Sequence, residues 1–203
     1  MRLILSSEML PAQCRSAAGD LEKNMSRIAP VIPADTDIKV AATLSQIKAS
    51  RGRVPNSFAT FANAPVALDG FLSLSKALSR GRLTGRQREI LALAIAQENE
   101  CQYCLSSHTE FSKTVGLNAT DALKARSGNS DDPFERALTS FAKNIVRHRG
   151  LISDEDFDTA QKAGIDDSLM LEIVANVALH TFTNYANRLA DTEIDVPVVE
   201  ISL

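Results

Sequence analysis

Residues 90–96 read Ile-Leu-Ala-Leu-Ala-Ile-Ala, and this unbroken apolar run constrains the chain more than any other feature. It lies inside a segment opened by Thr84-Gly85-Arg86-Gln87. That spacing allows a capping box, in which the threonine oxygen accepts an unpaired N–H of the first turn and the glutamine reaches back to the cap. A helix over 85–98 is therefore predicted. Being apolar on every face, it has to be enclosed, either by the chain's own core or by a partner subunit.

The rest of the chain offers helices to enclose it. Asp35 and Asp37 precede a periodic stretch at 38–49 that Gly52 stops, and Pro65 opens another at 66–78 that Gly81 closes. Asn99 is the predicted N-cap of a helix from 100 to about 115, with Gly116 as its stop. Asp132-Pro133 opens a helix to 147, Ser153 one to 163 ahead of Gly164, and Asp167 a long last one to about 190. Pro197 marks an extended tail, in which 196–201 is the sole candidate strand. One strand makes no sheet, so the fold class is all-α.

Length and charge narrow the function. With 203 residues, 44% of them apolar, the chain has enough material for a sizeable core. A net charge of −3 and a pI near 5.7 leave no basic footprint for nucleic acid or an anionic membrane, and neither is expected as a partner. The apolar stretch at 3–5 is soon interrupted by Glu8 and Pro11, too early for a secretory signal, and no run is long enough to span a bilayer. A cytoplasmic location is the expectation.

Three cysteines are too few and too odd in number for a disulfide framework. Cys14 stands alone and reads as an ordinary small apolar residue. Cys101 and Cys104 form a C-x-x-C pair, a spacing that in a reducing compartment points to redox chemistry or metal. On a helix His108 lies four residues beyond Cys104, about 40° round, and seven beyond Cys101, about 20° round, so all three share a face. Cys101 falls at the helix start, where unpaired N–H groups favour a thiolate, and His108 is placed to hold and return a proton.

Glu89 points along an apolar stripe of Ala92, Leu93 and Ala96, where an unpaired carboxylate is costly, so it needs a partner. Two are open: His108, which it would orient, or an arginine among Arg86, Arg88 and Arg188. Zinc is the rival for the cysteines, but Cys101, Cys104 and His108 make only three ligands, with His148 and His180 left over. A faint echo at an offset of 83 sets Glu89 against Glu172, and Cys101 and Cys104 against Asn184 and Asn187. It is either coincidence between two capped helices or a duplicated unit that lost its thiols.

Glu89, Cys101, Cys104 and His108, preceded by Leu83-Thr84 and further upstream by Gly52-Arg53-Val54-Pro55-Asn56, Pro65 and Phe71, resemble the AhpD-like alkylhydroperoxidase branch of the carboxymuconolactone decarboxylase superfamily, in the group called peroxidase-related enzymes. The resemblance runs over 25–197, which makes 1–24 an N-terminal extension and 198–203 a C-terminal tail. It implies helices packed around a two-helix, C-x-x-C-bearing core, subunits associated as trimers or hexamers, and reduction of alkyl hydroperoxides through a disulfide cycle. It further implies that Cys104 attacks the peroxide, Cys101 closes the disulfide, and His108 with Glu89 relays the proton. Electrons would come from a dithiol, or a thioredoxin- or lipoyl-type reductant, with neither cofactor nor metal. Tyr103 departs from the pattern, standing where the best-known member has a histidine. The competing function is a non-catalytic helical assembly module or thiol redox sensor.

Overall fold

A computed structural model describes residues 26–203; Cys14 and the stretch 1–24, expected from sequence to be an N-terminal extension, lie outside the described residues. Among the described residues nine α-helices follow in order: α1 (Ile38–Arg51), α2 (Asn56–Phe61), α3 (Pro65–Leu78), α4 (Gly85–Glu98), α5 (Gln102–Ser112), α6 (Ala119–Ser127), α7 (Pro133–His148), α8 (Asp154–Lys162) and α9 (Asp167–Ala190). No strand occurs among the described residues, and 196–201 is coil, with bends at Val196 and Ile201. The fold is all-α, as the helix punctuation predicts.

The capping box at Thr84 and Gln87 forms as the spacing requires, and α4 runs through the middle of the molecule. Its three faces are covered separately. Leu91 and Ile95 meet Leu138, Phe141 and Ile173 of α7 and α9. Ile90 and Leu93 meet Leu117, Ala122 and Ala125 around α6, and Ala96 lies against Cys101, Cys104 and Leu105. Residues 91–96 are fully buried. Each leucine or isoleucine removed from water in this way contributes roughly 1.5–3 kcal/mol. The chain's own helices thus enclose α4, and no neighbouring subunit is needed for it.

Two short helices, α2 and α6, are absent from the expectations above. α2 starts after Pro55 with no side-chain cap, so only its packing specifies it; Phe58 and Phe61 join a second cluster with Val40, Leu44 and Leu68. α6 carries a readable signal, a capping box between Asn118 and Asp121 and a left-handed Gly128 at its end.

The start of α5 differs from the expectation in a way that matters for the site. Asn99 is the C-cap of α4, not the N-cap of α5, because its amide is engaged with Asn184 Oδ1 at 2.9 Å. The chain reverses at Glu100, which adopts a left-handed φ of 52°, and Cys101 becomes the N-cap. Its sulfur accepts the Cys104 N–H at 3.3 Å.

The tail after α9 folds back over α4 and α5. Ile194, Val199 and Ile201 pack on the cluster that holds the cysteines, and Val199 N–H donates to Ser106 Oγ at 2.9 Å. Arg126, buried, donates to the carbonyls of Glu200, Ile201 and Ser202. Glu98, an acid at the unfavourable end of the α4 dipole, is pushed up by burial, but bonds from Arg147 and Lys143 outweigh this and hold it below the usual carboxylate range.

Candidate active site

Cys101 and Cys104 are joined by a disulfide with their Cα atoms 5.2 Å apart, the separation one helical turn provides. Both are buried, but they face differently. Cys104 lines a cavity of about 320 Å³, whereas Cys101 does not contribute to its wall and sits behind it as the helix cap. His108, one turn beyond Cys104 on α5, lines the same cavity.

Glu89 reaches across from α4, and its Oε2 lies 2.8 Å from His108 Nδ1. The arginines that competed for it are engaged elsewhere. Arg86 bonds Glu135 and Asp121, Arg88 donates to the Leu83 carbonyl, and Arg188 donates to the Asn99 carbonyl. With Nδ1 held by the carboxylate, Nε2 is the ring nitrogen left for chemistry. The four residues singled out from sequence are therefore together: a disulfide with Cys104 on the cavity wall, and a carboxylate–imidazole pair on the same wall.

Several contributors escaped the sequence reading. His180, from α9, stands edge-on to His108 with ring centroids 5.1 Å apart. Burial, and then the neighbouring His108, hold its pKa well below that of an ordinary histidine, so it is a neutral wall group at neutral pH. Asn187, also from α9 and 4% exposed, donates from Nδ2 to Cys104 Sγ at 3.5 Å. It is the residue that the offset of 83 sets against Cys104. The two stretches are nevertheless built differently. α9 continues unbroken where the first copy breaks between α4 and α5, and Glu172 accepts from the backbone of Arg82 and Leu83 where Glu89 meets a histidine.

Tyr103 also lines the cavity. Burial pushes its phenol up to about 12, bonds from Ser57 oppose this, and Asp195 adds to the rise, so it stays protonated near neutrality. Its oxygen accepts the Ser57 N–H at 3.2 Å and donates to Asp195 Oδ1 at 3.0 Å. Asp195 further takes the Asn56 N–H and the Arg53 guanidinium, so the Arg53-Val54-Pro55-Asn56 segment fastens the tail beside the cysteines. Phe58, Phe61, Phe71 and Phe111 add aromatic rings to a wall that also carries hydroxyls such as Ser57, Ser107 and Thr183. Among the described residues no group of three or more histidine, cysteine or acidic side chains is arranged to hold a metal.

Residues 65–143, from the start of α3 into α7, match the carboxymuconolactone decarboxylase family, and this stretch contains Glu89, both cysteines and His108. That match makes this stretch similar to the carboxymuconolactone decarboxylase family. Solved structures of similar proteins share the fold. A peroxidase-related protein of Ralstonia eutropha with an AhpD core is 22% identical, with a TM-score of 0.76 over 84% of this chain and 93% of that one. A peroxidase-related protein of a Silicibacter species is 18% identical, with a TM-score of 0.71 over 83% and 92%. The debrominase Bmp8, solved as a cysteine-to-alanine variant in complex with 2,3,4-tribromopyrrole, is 20% identical, with a TM-score of 0.70 over 83% and 91%. No curated protein matches the chain. The described residues include no helix long and apolar enough to cross a membrane.

Proposed function

We propose that this protein is a thiol peroxidase that reduces organic hydroperoxides through a Cys101–Cys104 disulfide cycle, with His108 and Glu89 moving the proton. The observation that carries the reading is the convergence of one sulfur of the pair, Cys104, and the Glu89–His108 pair on a single largely apolar cavity. An imidazole paired with a carboxylate can take the thiol proton and hold it as imidazolium.

In the reduced enzyme the Cys104 thiolate attacks the terminal oxygen of ROOH. The O–O bond breaks, the sulfur becomes a sulfenic acid, and the alkoxide leaves with the proton held at His108, giving ROH. Cys101 then attacks the Cys104 sulfur, forming the disulfide and releasing water. A dithiol, or a thioredoxin- or lipoyl-type donor, returns two electrons and two protons by thiol–disulfide exchange. Asn187 Nδ2, close to Cys104 Sγ, is a donor that can stabilise the thiolate. The test is a steady-state screen in which the wild type is given cumene hydroperoxide and dithiothreitol. Hydroperoxide consumption with Cys101 and Cys104 cycling between thiols and disulfide is the expected result; a stable thiol pair that ignores hydroperoxide would overturn the reading.

The protein is further read as a homo-oligomer, and its contact face lies on α9 rather than α4. Leu171, Val174, Phe182, Tyr185 and Leu189 are all exposed apolar side chains. At 100° per residue they fall within an arc of about 80°, a seam along the length of the helix. Replacing Leu171 and Tyr185 together by glutamate should convert an assembly well above 22.0 kDa into monomer with its helicity kept, as read by light scattering and circular dichroism. A wild type that is itself a monomer at micromolar concentration would sink this.

A further inference from the structure

The charges around the cavity do not balance. Among the described residues, the only carboxylate lining it is Glu89, already bonded to His108, whereas two guanidiniums, Arg51 and Arg88, line the same wall. Among the described residues neither arginine forms an ion pair. Arg88 donates to the Leu83 carbonyl, which fixes its position without neutralising it.

Arg51 is held at the cavity by a different means. Its guanidinium lies 5.2 Å from the ring centroid of Phe58 on α2 and 5.3 Å from that of Phe111 on α5. Its place in the last turn of α1 already favours a cation through the helix dipole, but that would be served by any solvated rotamer. Arg51 is exposed, and contact with two cavity phenylalanines leaves its fork at the rim with N–H groups that no carboxylate takes, beside a largely apolar chamber. A planar guanidinium matches a carboxylate through two parallel N–H···O bonds. A volume of about 320 Å³ stands at the small end of ligand pockets, roughly 300–1,000 Å³, and suits a body of one ring with short branches.

We propose that the cavity selects organic hydroperoxides that carry a carboxylate, with the apolar body among Phe58, Phe61 and Phe71 and the carboxylate on Arg51. The proposal rests on the peroxidase reading for the reacting end of the substrate, the –OOH group directed to Cys104. The carboxylate itself exchanges no electrons; it binds and orients. Atoms and electrons balance as in the thiol cycle above, with ROOH bearing the acid reduced to the hydroxy acid and water released when the disulfide closes.

The experiment has two arms. In the first, kcat/KM with dithiothreitol is measured for cumene hydroperoxide bearing a para-carboxylate and for the methyl ester of the same compound. The acid should be preferred by about tenfold or more, the scale of a charge-assisted bidentate contact. That ratio should fall toward one in Arg51→Gln and be partly kept in Arg51→Lys, which supplies charge without the fork. In the second, binding of 4-isopropylbenzoate to the disulfide form is followed by NMR against its methyl ester, which needs no turnover. Benzoate binding lost in Arg51→Gln, with no hydroperoxide consumed by the wild type, would keep the anion site and remove the peroxidase reading. Turnover with equal acid and ester rates, and no benzoate binding, would overturn the anion site and leave the peroxidase reading standing.

Discussion

Cys104→Ser should remove hydroperoxide turnover, by roughly 10³-fold or more, the scale of deleting the nucleophile from a group of residues that act as one unit. Cys101→Ser should behave differently. Cys104 is the member of the pair on the cavity wall, while Cys101 sits behind it and caps α5 through the Cys104 N–H. Serine is a good N-cap, so Cys101→Ser keeps the helix start and loses only the resolving thiol. The variant should consume one equivalent of hydroperoxide per subunit and stop as a sulfenic acid, visible as a mass gain of one oxygen and trapped by dimedone. If Cys101→Ser cycles normally and it is Cys104→Ser that halts after one equivalent, the roles are exchanged.

The second large effect is expected at the Glu89–His108 pair. Glu89→Gln keeps a group that can accept from Nδ1 but not one that stabilises an imidazolium. His108→Ala removes the base itself and leaves the buried carboxylate without a partner. General acid–base catalysis by such a group contributes about 10²–10⁴-fold, and each variant should slow the reaction of Cys104 with hydroperoxide by at least about tenfold in stopped flow. The double variant should be little worse than His108→Ala, because the carboxylate acts through the imidazole. A purely structural Glu89 predicts the opposite pattern: a lowered melting temperature with Cys104 reactivity unchanged, and that outcome would remove the relay.

Much of the fold is legible without coordinates because it is local. The Thr84–Gln87 box, Asp37 before α1, Pro65 and Pro133 at helix starts, and Gly52 and Gly116 at helix or turn ends all act within a few residues of where they stand. α6 is equally legible from Asn118, Asp121 and Gly128. α2 is not, since a six-residue helix with no side-chain cap owes its existence to Phe58 and Phe61 reaching a core made by other helices. The misplaced cap at Asn99 has the same origin: its side chain prefers Asn184, 85 residues away, to its own helix end.

By itself the sequence determined that an apolar α4 must be enclosed, that helices would enclose it, and that Cys101, Cys104 and His108 share one helical face, because 3.6-residue periodicity and cap chemistry are written in consecutive residues. It left open what Glu89 would meet, which sulfur would face a cavity, and whether a cavity existed. Those were decided by how the helices cross. The cavity wall is drawn from α1, α2, α3, α4, α5 and α9, with Tyr103 tied to Asp195 across 92 positions and Asn187 set on Cys104 across 83. Side chains so far apart in the chain meet only once each helix has chosen its neighbours, and that choice minimises the exposed apolar surface of the whole molecule rather than of any one segment.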